Sequence, residues 1–202
     1  MSNHYVITIT RQFGSLGRPI AGKLSEILGI EYYDRDIVEE TAKKLGMPVA
    51  DVSSEEEIAK SRFFNMSYPL GSGTTETQDK IFAEQANIIS SIANKQSCII
   101  VGRCSDFILE DRKNSLHIYI YAPYSARFRN CVDILKMEDD EARKMIARVD
   151  KARDNYHRNY AGYLPSDCNH KDVMIDSSQF GIEGTAKILA NIARERFQLE
   201  KA

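Results

Sequence analysis

No stretch of about 18 consecutive apolar residues occurs in the 202-residue chain, so no part of it reads as a membrane-spanning helix. Basic residues are not in excess: 27 Lys and Arg stand against 29 Asp and Glu, a formal net charge of -2 at pH 7. A general nucleic-acid binder would normally be basic, so this balance argues against that class while leaving room for a local basic pocket. The cysteines Cys98, Cys104, Cys131 and Cys168 are widely spaced and include no C-x-x-C pair. They read as reduced thiols of a cytoplasmic protein, not as a disulfide frame or a zinc site. His4, His117, His157 and His170 lack metal-ligand spacing, and no protein-held metal is expected. No signal-peptide pattern precedes the first apolar run. Repeats, low-complexity tracts and linkers are absent too, so a single domain over 1–202 is expected.

What is present is organised around the opening thirty residues. Tyr5-Val6-Ile7-Thr8-Ile9-Thr10 is short, apolar or β-branched, and bounded by turn residues, as a buried strand would be. Beyond Gly14 and Gly17, Ile20, Leu24, Ile27 and Leu28 recur at helical spacing. Strand, glycine loop and helix form the layout of a phosphate-binding loop. Glycines let the backbone curl so that N–H groups point inward, and the helix N-terminus adds partial positive charge. The pattern departs from G-x-x-x-x-G-K-[ST]. With its second glycine aligned on Gly17, Gln12 stands where the first belongs, Arg18 replaces the lysine and Pro19 the metal-binding hydroxyl. Pro19 suits the first turn of a helix, where its missing N–H is not needed.

The remaining chain alternates strand and helix. Strands are expected at Ile30–Tyr33, Ser97–Val101, Leu116–Tyr121 and Val173–Asp176. Helices are expected at Arg35–Leu45, Pro48–Lys60, Asp79–Asn94, Ala126–Lys136, Asp139–Arg158 and Ile182–Phe197. Phe63–Thr77, with Gly71, Gly73 and Pro69, reads as a mobile loop that Phe63, Phe64 and Tyr68 anchor at one end. Short apolar strands alternating with helices call for an α/β fold: a five-stranded parallel sheet covered on both faces, three layers in all. Ligands bind such sheets at the carboxyl ends of the strands. Arg11, Arg35 and Arg103 stand at three of those ends, and with Arg18 they are expected to converge there. The planar guanidinium suits phosphate oxygens. Tyr32, Tyr33 and Asp34 are candidates for a base pocket, through ring stacking and a carboxylate acceptor. Adjacent strand residues point to opposite faces, so only one of the tyrosines can belong there.

Taken together, these segments resemble the cytidylate kinase-like family of phosphate-loop nucleoside monophosphate kinases. The resemblance is carried by Ile9–Ala21, Tyr33-Asp34-Arg35-Asp36-Ile37, Ile100-Val101-Gly102-Arg103, Ala122-Pro123 with Arg127, Arg148–Arg153 and Asp172–Ser178, in that order. It implies transfer of the ATP γ-phosphoryl group to a nucleoside monophosphate, CMP or dCMP by the family's name. It further implies a magnesium ion held mainly by phosphates and water. The donor phosphates would lie on Arg11, Gly14, Ser15, Leu16, Gly17 and Arg18. Tyr33, Asp34, Arg35, Arg103 and Asp150 would serve the acceptor within a segment of about 34–95. Arg18, Arg103, Arg127, Arg148 and Arg153 would serve the transfer, the last two on a helical lid of about 139–167. Small-molecule nucleotides are the expected partners of a monomer or homodimer, with neither nucleic acid nor membrane. Such chemistry rests on positioning and charge neutralisation. Two alternatives stay open: a kinase of another small phosphorylated acceptor, and a regulatory module that binds phosphate without catalysis.

Overall fold

The computed structural model describes residues 4–46, 49 and 75–199. Its five strands are β1 (Val6–Arg11), β2 (Glu31–Tyr33), β3 (Cys98–Val101), β4 (Ser115–Tyr121) and β5 (Val173–Asp176). All pair in parallel, in the order β2-β3-β1-β4-β5. This is the α/β, three-layer architecture that the alternation implies, because parallel neighbours need a crossover and the crossovers cover both faces.

The two faces divide by the two-residue period of a strand. Ile7, Ile9, Ile99, Val101, Ile118, Ile120 and Ile175 share one core. It is closed by Ile20, Ala21 and Leu24 of α1 (Gly17–Leu28) and by Ala186, Leu189, Ala190 and Ala193 of α7 (Gly181–Phe197). Val6, Cys98 and Ile100 face the other way. There they meet Ile37 of α2 (Arg35–Leu45) and Ile88, Ile89 and Ala93 of α3 (Thr75–Lys95). A single turn, α4 (Ser105–Ile108), follows β3. After β4 come α5 (Tyr124–Arg129), a π-helical segment over Asn130–Ile134, and the long α6 (Asp139–Ala161). Phe13, Cys131, Met137, Ala142, Met145, Ile146 and Val149 pack together, which seats α6 on the opening loop.

Several boundaries differ from the sequence reading, four of them near the site or at the edge of the described residues. β1 runs one residue further, through Arg11, whose side chain is buried among the strand ends. α1 starts at Gly17 rather than near Pro19, because Leu16 takes the left-handed conformation (φ 61°) and caps the helix. α3 starts at Thr75, so Thr75–Thr77 are helical rather than loop. The helix expected over Ala126–Lys136 widens into its π segment, where the Leu135 N–H reaches the Asn130 carbonyl at 3.0 Å. The helix expected over Pro48–Lys60 and the mobile loop as far as Thr74, with Phe63, Phe64 and Tyr68, lie outside the described residues, Val49 excepted. No described helix is long and apolar enough to cross a membrane.

Ile118 is fully buried in the central strand pair. Ile118→Ala is expected to lower stability by roughly 2–5 kcal/mol, read as a lower urea midpoint with an unchanged m-value.

Candidate active site

The parallel sheet sends its strand ends to one edge, and three arginines meet there around one carboxylate. Asp34, directly after β2, is buried. Its Oδ2 lies 2.5 Å from Arg18 Nε, and its Oδ1 lies 4.0 Å from Arg11 Nη2 and 3.8 Å from Arg103 Nη2. Three like charges gathered at a sheet edge need such a counter-charge, and its burial sharpens both attraction and repulsion. Arg11 reaches the cluster by lying between two glycines. A Cβ on Gly17 would stand 2.8 Å from Arg11 Cβ, and one on Gly102 would overlap the guanidinium. Arg35, expected in the same cluster, is instead an exposed residue of α2 paired with Glu39 one turn on (3.3 Å). Its position on the first helical turn directs it outward.

The opening loop splits its backbone donors into two sets. The Phe13 N–H donates to Asp150 Oδ1 (2.7 Å), and the Ser15 N–H turns back to the Gln12 carbonyl (3.4 Å). Among the described residues, no intramolecular acceptor is recorded for the N–H groups of Gly14, Leu16, Gly17 and Arg18. These are the donors that a loop leading into a helix N-terminus offers to an anion. The carbonyls are held from behind. Asn130 Nδ2 donates to the Gly14 carbonyl (2.8 Å), and Ser177 Oγ to the Ser15 carbonyl (2.8 Å). The Ser15 hydroxyl donates to the Gln12 and Ile120 carbonyls (2.9 and 3.2 Å), so it braces the loop.

Arg127 is built into the same scaffold. Its Nε donates to the Ala122 carbonyl (3.1 Å), and its Nη1 donates to the Phe13 carbonyl (3.1 Å) and to Asp150 Oδ2 (2.5 Å). A guanidinium so engaged and buried holds the loop's shape. The two oxygens of Asp150 join the loop to Arg127, and the same residue lines the larger of two neighbouring clefts.

Arg153 Nη1 donates to the Arg11 carbonyl (2.9 Å) and so carries α6 across the end of β1. Arg11 and Arg153 form part of the wall between two clefts. One is narrow and lined by Thr10, Gly102, Arg103, Tyr156 and Pro165. The other, of about 250 Å³, is lined by Tyr119, Tyr121, Asp154, Ser166 and Met174. Burial, then the charge of Asp150, raises the Asp154 carboxyl above its ordinary range. Arg148 reaches neither cleft: it is exposed, and its Nη2 contacts Met145 Sδ on its own helix (3.3 Å). Tyr33 also lies apart. It packs with the core beneath α3, and its hydroxyl donates to Glu31 (2.8 Å) and accepts from Gln96 (2.8 Å). Burial, then Glu31, pushes its phenol up to about 12.

A second charged cluster escapes the sequence. Asp106, on α4, is buried, with His157 Nε2 at 3.0 Å, the Lys171 ammonium donating to Oδ2 and the Tyr163 hydroxyl donating at 3.4 Å. His157 Nδ1 faces the Tyr163 carbonyl at 3.0 Å. Burial alone would raise the Asp106 carboxyl, but the hydrogen bonds and charges of His157 and Lys171 outweigh it and hold the group well below the usual range. These partners stand 51 and 65 residues away along the chain, and no local spacing announces them.

With this geometry in place, the similarities to known proteins have a physical footing. The profile of the cytidylate kinase-like family matches residues 6–179. A cytidylate kinase of Thermoplasma acidophilum is 25% identical over 187 residues, which span 92% of this chain and 90% of that one. Among solved structures, an uncharacterized protein from Eubacterium ventriosum superposes with a TM-score of 0.70 at 22% identity, covering 98% of this chain and 100% of that one. A shikimate kinase from Acinetobacter baumannii superposes with a TM-score of 0.51 at 14% identity, covering 100% and 97%. At these identities the two structures share the fold, that of phosphate-loop kinases.

The Asp106 cluster carries a pH signature. A carboxyl depressed in the folded state contributes stability that is complete above its unfolded pKa, about 3.9, and lost as pH falls toward the folded value. Asp106→Asn is therefore expected to cost roughly 3–5 kcal/mol near neutral pH. The gap from the unchanged protein should narrow below about pH 4, as urea unfolding across a pH series would record.

Proposed function

Because the chain belongs to the cytidylate kinase-like family, we propose that it transfers the γ-phosphoryl group of ATP to a nucleoside monophosphate, with CMP or dCMP as the acceptor. The observation that carries this reading is the meeting of Arg11, Arg18 and Arg103 beside four open loop amides. Two anionic groups brought together need positive charge on both sides, and this edge supplies it from two strand ends and the first turn of α1.

The donor triphosphate fits the loop through the amides of Gly14, Leu16, Gly17 and Arg18, at the positive end of α1. Among the described residues, no group of three or more His, Cys, Asp or Glu could hold a metal ion. On this reading magnesium is held mainly by phosphate and water oxygens. Magnesium, when bound, neutralises charge between the phosphates. Arg103 and Arg153, both lining the narrow cleft, hold the acceptor phosphate and support the transfer. Arg18 lies 39% exposed beside Asp34, within reach of either substrate. Ser15, Arg127 and Asp150 serve as scaffold. α6 and the turn that follows it form the lid, and Arg148 stands on its outer surface.

A second reading, a phosphate-binding module without catalysis, draws on one observation. Asp150 already occupies the Phe13 N–H, and Pro19 has none to give, so the loop offers fewer donors than a standard one.

Two measurements test the proposal. ADP formation that depends on magnesium is expected with at least one pyrimidine monophosphate, and Arg103→Ala is expected to abolish it while leaving the thermal midpoint nearly unchanged. ATP binding without turnover on any nucleoside monophosphate would leave the regulatory reading. Separately, Arg18→Ala is expected to weaken ATP binding by roughly ten- to a hundredfold in calorimetry, the loss of one charge-assisted contact. Arg18→Lys should restore only part of that, since lysine lacks the planar fork.

A further inference from the structure

The strand that delivers Arg103 ends in an unusual turn. Gly102, Arg103 and Cys104 take φ values of 78°, 60° and 50°, three left-handed residues in succession, two of which are not glycine. Non-glycine residues hold that conformation only where their surroundings impose it. The turn starts from a fixed point, since the Gly102 N–H donates to the Ile9 carbonyl (2.9 Å). It ends in α4, where the Ser105 N–H reaches the Gly102 carbonyl (3.0 Å) and the Ile108 N–H reaches the Cys104 carbonyl (2.9 Å). α4 is a single turn and cannot hold itself in place. Ile108 and the buried Leu109 pack its end on the core beneath α3, and Asp106, whose side chain is 1% exposed, ties it by charge to α6 and the segment before β5.

Asp106 is gripped from two other parts of the chain. His157 lies four residues beyond Arg153 on α6, so the two share a helix face. Lys171 comes from the segment leading into β5. The cluster is capped by Tyr163, which stacks on His170 at 3.6 Å between ring centroids. Arg103 is therefore anchored three residues before the carboxylate, and Arg153 one helical turn before the imidazole that binds it. Asp106 itself faces neither cleft, whereas His157, which it grips, lines the narrow one together with Arg103 and Arg153.

We propose that Asp106 is a positioning residue for the phosphate site, which through the α4 turn and His157 fixes where Arg103 and Arg153 stand relative to each other. The inference rests on the reading that these two arginines bind phosphate. It assigns α6 a role besides covering the site: the helix is set against the β3 turn by one buried charge.

The test is a double-mutant cycle read by calorimetry with pyrophosphate. Asp106→Asn alone strands the buried Lys171 ammonium, so it is paired with Lys171→Met to keep the chain folded. The paired variant is expected to weaken pyrophosphate binding by about tenfold or more and to move the Nε–H resonances of Arg103 and Arg153 in nitrogen-15 spectra. In a background carrying Arg103→Ala and Arg153→Ala, the same pair should weaken binding by less than about twofold, because the side chains it positions are gone. An equal loss in both backgrounds, or unmoved arginine resonances, would overturn the proposal by showing a merely structural role. If the unchanged protein binds pyrophosphate yet transfers no phosphoryl group, the kinase reading falls and the cycle still decides this one. If it binds no pyrophosphate, this proposal falls, while ADP formation still decides the kinase reading.

Discussion

The structure depends on how it neutralises positive charge at one sheet edge. A parallel sheet sends every strand end to the same side, so arginines placed after separate strands are forced together. Asp34 answers Arg11, Arg18 and Arg103 with one buried carboxylate. Without it the edge would repel itself. The side chain of Arg11 lies so close to Gly17 and Gly102 that neither position has room for a Cβ.

A second constraint acts behind the loop. The backbone there must be rigid to present open amides, yet glycine and a left-handed Leu16 make it intrinsically pliable. The chain supplies rigidity through side chains that hold carbonyls: Ser15, Arg127, Asn130 and Ser177 all donate to backbone oxygens of, or next to, the loop. The π-helical widening at Asn130–Ile134 belongs to this arrangement, for it sets Asn130 beneath Gly14. Asp150 then joins α6 to the same structure through Phe13 and Arg127.

The expected convergence at the sheet edge holds for some arginines and not for others, and the two groups differ in kind. Arg11 and Arg103 were legible because strand ends of a parallel sheet share an edge and a short apolar run reveals where a strand ends, and Arg18 because the glycine loop after β1 returns the chain to that edge at the start of α1. Arg35 misled because it follows a strand end yet is already the first helical residue, and one residue turns a side chain from the edge to solvent. Arg127 and Arg148 look alike as helical arginines, but one is buried and holds three oxygens whereas the other touches its own helix. Tyr33 looked like a base platform, and strand alternation placed it in the core beneath α3 instead.

The sequence by itself determined the layers, the parallel sheet and the loop at its edge, because apolar periodicity and glycine placement are local properties that the backbone obeys locally. Only the tertiary structure decided which charged groups line the clefts and which brace the backbone. Asp106 with His157 and Lys171, and Asp150 with Phe13 and Arg127, pair across long separations in the chain. Whether a carboxylate serves a substrate or an arginine depends on which groups burial brings within about 3 Å, and no local pattern of residues encodes that distance.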